Sequence, residues 1–185
     1  MKKLVAVLAI VLSANVSNAQ AFEKGGNYVH IGFGLDPFGN LANDYFGSKY
    51  YNVGPIVAGY EVGITEKLGI GRLGVGGVIG QSFSGHEYSN GDRITRMRTS
   101  IIARCAYHFD FGIDKMDVYA GIGAGVHIYG KEKSNVNGYI LDNNHINPTH
   151  YVFAGIRYYF TDNFGVYAEA GHGLAALNGG LVFKF

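Results

Sequence analysis

Between Val118 and Ile128 the chain alternates without a break. Val118, Ala120, Ile122, Ala124, Val126 and Ile128 are apolar, and Tyr119, Gly121, Gly123, Gly125 and His127 stand between them. Side chains of a strand point to opposite faces with period two, so this segment is a strand with one apolar face and one of different character. The same period runs through Tyr28–Leu35, Arg96–Phe109, His150–Phe160 and Asn178–Phe185. It predicts eight strands, near 27–35, 51–64, 68–83, 94–109, 116–129, 149–160, 164–172 and 177–185. Short turns at Glu66-Lys67, Asp110 to Lys115 and Asp162-Asn163 alternate with long polar connections at 36–50, 84–93 and 130–148, the first and last of which hold Pro37 and Pro148. A shorter connection spans 173–176.

A soluble β-sandwich would bury its apolar face and coat the other with polar side chains. Here the second face is glycine, tyrosine and a few arginines, with little Lys, Glu or Thr. The apolar face must then be the outside, which is the arrangement of a closed barrel in lipid, where closure leaves no backbone edge unpaired. The pattern therefore predicts an all-β fold: an eight-stranded antiparallel transmembrane up-and-down β-barrel, whose interior is just wide enough for side chains to fill. Tyr60, Tyr107, Phe109, Tyr158, Phe160, Phe164 and Phe185 fall on the outer face beside short turns or the chain end, as an aromatic girdle would. Inner glycines such as Gly123 relieve crowding, and a serine there is expected to be mild. Pro55 lacks a ladder donor and is expected at a bulge near the rim of the second strand.

Composition changes the picture in three places. Glycine numbers 29 of 185 residues, without a three-residue repeat, and charged residues are 16%, which excludes collagen and disordered chains. One cysteine, Cys105, excludes a disulfide scaffold and falls on the lipid face. A formal charge of +1 gives no basic footprint for nucleic acid. The N-terminus has a basic start, Lys2-Lys3, an apolar run from Leu4 to Leu12 and a small polar stretch ending Ala19-Gln20-Ala21. That is the layout of a secretory signal peptide over 1–21, cut after Ala19 or Ala21, with the barrel domain at 22–185.

These features resemble the OmpA-like/OmpX-like family of small outer-membrane β-barrel proteins. The segment Gly155 to Gly171, GIRYYFTDNFGVYAEAG, is similar to the strand–turn–strand unit common in that family. The ending Leu181-Val-Phe-Lys-Phe185 resembles the signal read by the outer-membrane assembly machinery, with Leu181, Phe183 and Phe185 as its outward residues. The resemblance implies the bacterial outer membrane as location, membrane lipid and the assembly machinery as partners, and no cofactor. The peptidoglycan-binding function of the domain that follows the barrel in OmpA is not expected to carry over, since the residues that carry the resemblance are those of the barrel alone.

Few residues suggest chemistry. Gly69-Ile-Gly71-Arg-Leu-Gly74 matches a dinucleotide fingerprint by letter, but strand residues follow it where a helix is required. His86, Ser89 and Asp92 share one polar loop, and His172 has no serine near it. Asp142-Asn-Asn-His145 lacks the spacing of a calcium loop. The one constellation is internal. Glu61, Arg72, Arg104, Arg157 and Glu169 fall on the inner face at similar distances from short turns, and Glu61 and Arg72 are equidistant from Glu66-Lys67. They are expected to form one paired layer, with Glu61 facing Arg72. Arg96 and Arg98 lie higher, near the outer mouth, where they suit anions. The expected function is a non-enzymatic structural and surface-interaction role, with long loops available to a ligand or protein partner. The alternatives are a small pore for ions or solutes and a subunit of a larger outer-membrane assembly.

The terminal motif carries a direct expectation. Deleting Phe185 should leave protease-sensitive protein in the periplasm, and fractionation showing normal outer-membrane levels of the shortened chain would refute it.

Overall fold

The computed structural model describes residues 21–35, 48–88, 91, 93–130, 132–134, 140–141 and 144–185. The proposed signal segment up to Gln20, the side chain of His86, residues Ser89 and Asp92, and the pair Asp142-Asn143 lie outside the described residues. The strands are β1 (Asn27–Leu35), β2 (Ser48–Gly63), β3 (Gly71–Tyr88), β4 (Arg93–Phe109), β5 (Met116–Tyr129), β6 (Glu132–Ser134), β7 (Ile140–Leu141), β8 (His145–Tyr159), β9 (Phe164–His172) and β10 (Leu177–Lys184). Their order is β3-β2-β1-β10-β9-β8-β5-β4, and β3 also pairs with β4. Eight antiparallel strands thus close a barrel, and the short β6 and β7 continue from the edge of β4. No helix among the described residues is long and apolar enough to cross a membrane.

Period two separates the faces along each strand. In β4, Ile102, Arg104, Ala106 and His108 are buried, while Ile101 is 46% exposed. In β8, Tyr151, Phe153, Arg157 and Tyr159 are buried and Val152, Ile156 and Tyr158 are exposed. The exposed apolar face is what lipid covers. Near the short turns the rings touch in sequence around the wall: Tyr107 on Phe109 (5.1 Å), Tyr158 on Phe160 (5.5 Å), Phe160 on Phe164 (6.1 Å) and Phe164 on Phe183 (5.3 Å). The girdle also includes Phe111, which stacks on Phe109. Two hydroxyls turn to the polar rim, Tyr60 donating to Asn27 Oδ1 (2.5 Å) and Tyr107 to the Leu68 carbonyl (2.5 Å).

Three expectations need correction. The connection 84–93 is mostly strand, paired from Ser84↔Arg96 to Glu87↔Arg93. Its polar residues form a hairpin that keeps its ladder beyond the lipid-facing zone. Pro148 sits within β8, opposite Val126, instead of in a loop. The β2–β3 hairpin ends its ladder at Gly63↔Gly74, with Leu68–Gly71 closing the turn and Gly69 at positive φ. Its centre lies beyond Glu66-Lys67, and the register moves with it. Pro55 does lie at an irregularity, where pairing skips from Val53↔Phe83 to Ile56↔Gln81. It points inward, and Gly34 and Gly80 leave the room that it and Leu174 occupy.

Gly123 also departs from expectation, because a Cβ there would stand 2.6 Å from the Ala103 carbonyl oxygen. The lipid-face comparison is therefore better made elsewhere. Ile122, 66% exposed at the middle of β5, should cost about 2–4 kcal/mol when changed to Arg. Gly77→Ala, whose new methyl finds nothing nearer than 3.6 Å, should be close to neutral. Refolding titrations in lipid check both, and full tolerance of Ile122→Arg would overturn the assignment of that face to lipid.

Candidate functional site: a buried ion layer beneath a basic mouth

Five strands bring six ionisable side chains into the lumen. Glu61 (β2), Arg104 and His108 (β4), Asp117 (β5), Arg157 (β8) and Glu169 (β9) are each at most 4% exposed. Arg157 Nη2 donates to Glu61 Oε2 at 2.5 Å and its Nη1 to Asp117 Oδ2 at 3.4 Å. Arg104 Nη2 donates to Glu169 Oε2 at 2.9 Å and lies 3.8 Å from Glu61 Oε2. His108 bridges two acids, with Nε2 2.7 Å from Glu61 Oε1 and Nδ1 2.9 Å from Asp117 Oδ1. Ionised carboxylates only accept, so this bridge uses both imidazole N–H groups. Three anions then face three cations. Tyr151 donates to Glu169, which also accepts from Asn178 Nδ2 at 3.3 Å. The guanidinium groups lie over rings, Arg104 over Phe153 at 3.9 Å and Arg157 over Tyr119 at 4.6 Å. The net result is a neutral layer with hydrogen-bonded ions, the condition under which charge is tolerated in a low dielectric.

Four of the five expected layer residues, Glu61, Arg104, Arg157 and Glu169, meet here. Arg72 does not. Its strand partner is His108, and Glu61 stands opposite Gly76, four residues further along β3. The expectation of a Glu61–Arg72 pair assumed a hairpin centred on Glu66-Lys67; the longer turn carries Arg72 to the rim. There Arg72 Nη1 binds Asp110 Oδ2 at 3.2 Å, beside Lys67 at 3.1 Å. The hydrogen bond from Lys67 holds the Asp110 carboxyl below the usual carboxylate range. His108 and Asp117 were missed, although both lie in phase with inner residues, His108 with Arg104 and Asp117 with Tyr119. Their signal is present in the alternation, but both lie within two residues of the 110–115 turn, nearer to a turn than the level expected for the layer.

At the long-loop end, Arg98 Nε donates to Ser82 Oγ at 3.2 Å. Arg96 lies 6.0 Å from the ring centre of Tyr129, which stacks on His145 at 4.5 Å. His127 Nδ1 is 2.9 Å from Ser100 Oγ. Arg98, His127, Tyr129, Thr149 and Leu174 line a cavity of about 520 Å³. Leu174, only 2% exposed, closes its floor. His172 points outward and stacks on His150 at 5.2 Å, away from any serine partner in the lumen. Leu181 and Phe185 are exposed on the lipid side, and Phe185 exchanges two backbone bonds of 3.0 Å with Asn27. No group of acids, histidines or cysteines that could hold a metal is found among the described residues.

The model of the outer membrane protein beta-barrel domain family matches residues 5–180. The chain belongs to this family. It is a bacterial outer-membrane protein of the OmpA-like kind. Among solved structures it is similar to Ail, the attachment invasion locus protein of Yersinia pestis, at 17% identity and a TM-score of 0.51, over 88% of this chain and 99% of that one. Ail in complex with the heparin analogue sucrose octasulfate matches over the same shares with a TM-score of 0.47. The N-terminal β-barrel domain of Pseudomonas aeruginosa OprF is 18% identical, covers 88% and 98%, and has a TM-score of 0.41. The first of these likenesses shows the fold. No curated protein matches the chain.

The layer yields a coupling test. Glu61→Gln should cost about 3–5 kcal/mol, because Arg157 and His108 lose a buried counter-ion. Combined with Arg157→Gln the losses should fall short of additive, whereas Glu61→Gln with Arg72→Gln should add. Urea unfolding in lipid measures both cycles. Additivity in the first would mean that the 2.5 Å contact contributes nothing.

Proposed function

We propose that this protein is a closed outer-membrane barrel with a structural and surface-interaction role, in which the long loops and the basic mouth face the cell exterior. Outer-membrane barrels keep short turns in the periplasm, which supports this orientation. The observation that supports the reading is the ion layer: six paired side chains, each at most 4% exposed, cross the lumen. Arg96 and Arg98 at the exterior mouth, with Arg98 on the wall of a blind cavity, suit a phosphate or sulfate group on a surface molecule. The reading assigns no reaction to the protein, and the loop with His86, Ser89 and Asp92 is taken as a polar surface. Leu181, Phe183 and Phe185 serve as the outward face of the assembly signal, and cleavage after Ala19 or Ala21 releases the mature chain.

The alternative, a small pore, draws on the cavity of about 520 Å³, but that cavity ends on Leu174. Planar-bilayer recording of the refolded protein decides between them. Silence at several voltages, with folding verified by heat-shifted gel mobility, is the expected outcome. Stepwise ohmic currents abolished by unfolding would replace this reading with the pore.

A further inference from the structure

Residues 21–26 enter the barrel at the short-turn end, and neither the strand pattern nor the ion layer accounts for the way they are held. Phe22 is 4% exposed. Its ring lies flat on the His108 imidazole, 3.4 Å between centres and 1° between planes, and stacks on Tyr28 at 4.6 Å. The Glu23 amide donates to Tyr28 Oη at 2.8 Å, and its carboxylate meets Lys184 Nζ at 3.0 Å. Gly25 N donates to the Gly63 carbonyl at 2.8 Å, and Gly63 N donates to the Gly26 carbonyl at 3.1 Å. Ala21 is buried in the same apolar cluster as Tyr159 and Val182.

The wall is cut to receive this segment. A Cβ on Gly74 would stand 2.5 Å from Glu61 Oε1 and 2.8 Å from Phe22 Cζ, and one on Gly63 would collide with the Glu23 carbonyl oxygen. Neither glycine has positive φ, so their backbone would accept other residues. What they supply is space. One leaves room for a ring and the other for a peptide carbonyl, which together describe a seat for an aromatic residue followed by an acid.

We propose that the short-turn mouth is a peptide-binding site whose ligand is the chain's own N-terminal segment, with Phe22 as anchor, Glu23 as its ionic latch on Lys184, and Gly63 and Gly74 as the seat. The docked ring covers one face of His108 and shields the ion layer on that side. This site does not depend on whether the opposite mouth binds an anion or conducts.

The chain contains no tryptophan, so Phe22→Trp in the full mature protein places a single fluorophore at the anchor. In the folded barrel its quenching by acrylamide should be about tenfold weaker than in the urea-unfolded chain, as a docked segment requires. Adding Gly63→Val should eject the segment and return quenching to near the unfolded level, while heat-shifted gel mobility shows the barrel still closed. A folded barrel in which quenching is already strong without Gly63→Val, or stays weak with it, overturns the proposal. A charge exchange keeps the test independent of the fate of Gly63→Val. Glu23→Lys should raise quenching about threefold, on the scale of one ion pair, and Lys184→Glu added to it should bring quenching back. No change with the first, or no recovery with the second, removes the latch and the site with it.

Discussion

An ion in the lumen of an eight-stranded barrel is cut off from bulk water on every side, and its charge must be answered by protein groups. The solvation lost on burial amounts to several kcal/mol per ion, and only close pairing with satisfied hydrogen bonds returns it. Here Glu61 is shared between Arg157 and His108, Asp117 between the same two cations, and Glu169 belongs to Arg104, Tyr151 and Asn178. No member can be removed without stranding a neighbour. Apolar side chains then occupy the space on either side. Val57, Val78, Ile102 and Leu174 lie toward the long loops, and Phe22, Tyr28 and Tyr159 toward the short turns.

The glycine richness of the sequence is the geometric counterpart of this layer. Glu61 faces Gly76 across one ladder, and Arg104 faces Gly76 on one side and Gly123 on the other. Glu169 and Tyr119 both neighbour Gly155, where a Cβ would strike the Tyr119 ring. His30 lies over Gly59 in the same way. At these levels a large polar side chain crosses the narrow lumen beside a strand that contributes only hydrogen there. The glycines therefore serve as packing partners of the charges, which is why so many sit inside strands where backbone freedom is not needed.

This explains which parts were legible in advance. Period two is a local signal, so the faces of Ile122, Arg104 and Tyr158 could be read from a dozen residues each. Register is not local. It depends on where a hairpin turns, and the turn after Gly63 continues through Leu68–Gly71 because Ile64 and Leu73 remain bonded and Thr65 Oγ accepts from Leu73 N. A displacement of the turn centre by two positions moved Glu61 four residues away from Arg72. Inner-face membership of Arg72 was correct, and its level was not. His108 and Asp117 carry no pattern that marks them as layer residues except their phase, and Phe22 lies beside the expected cleavage point, where composition argues only about export.

The two ends of the lumen are closed by different means. At the short-turn end the closure comes from a segment distant from its seat in sequence, with Lys184 of the last strand meeting Glu23 and His108 of the fourth stacked on Phe22. At the long-loop end it comes from the tight connection after β9, which folds inward on Gly173 at positive φ and sets Leu174 beneath the cavity. Closing one end with a stacked ring leaves no comparable hollow there, and the small cavity beside Phe22 measures only about 20 Å³. At the other end, Leu174 lines a cavity of about 520 Å³, walled among the described residues by Arg98, His127 and Tyr129. The larger cavity and the Arg98 guanidinium thus coincide at the long-loop end, a consequence of where the chain places its bulky apolar groups.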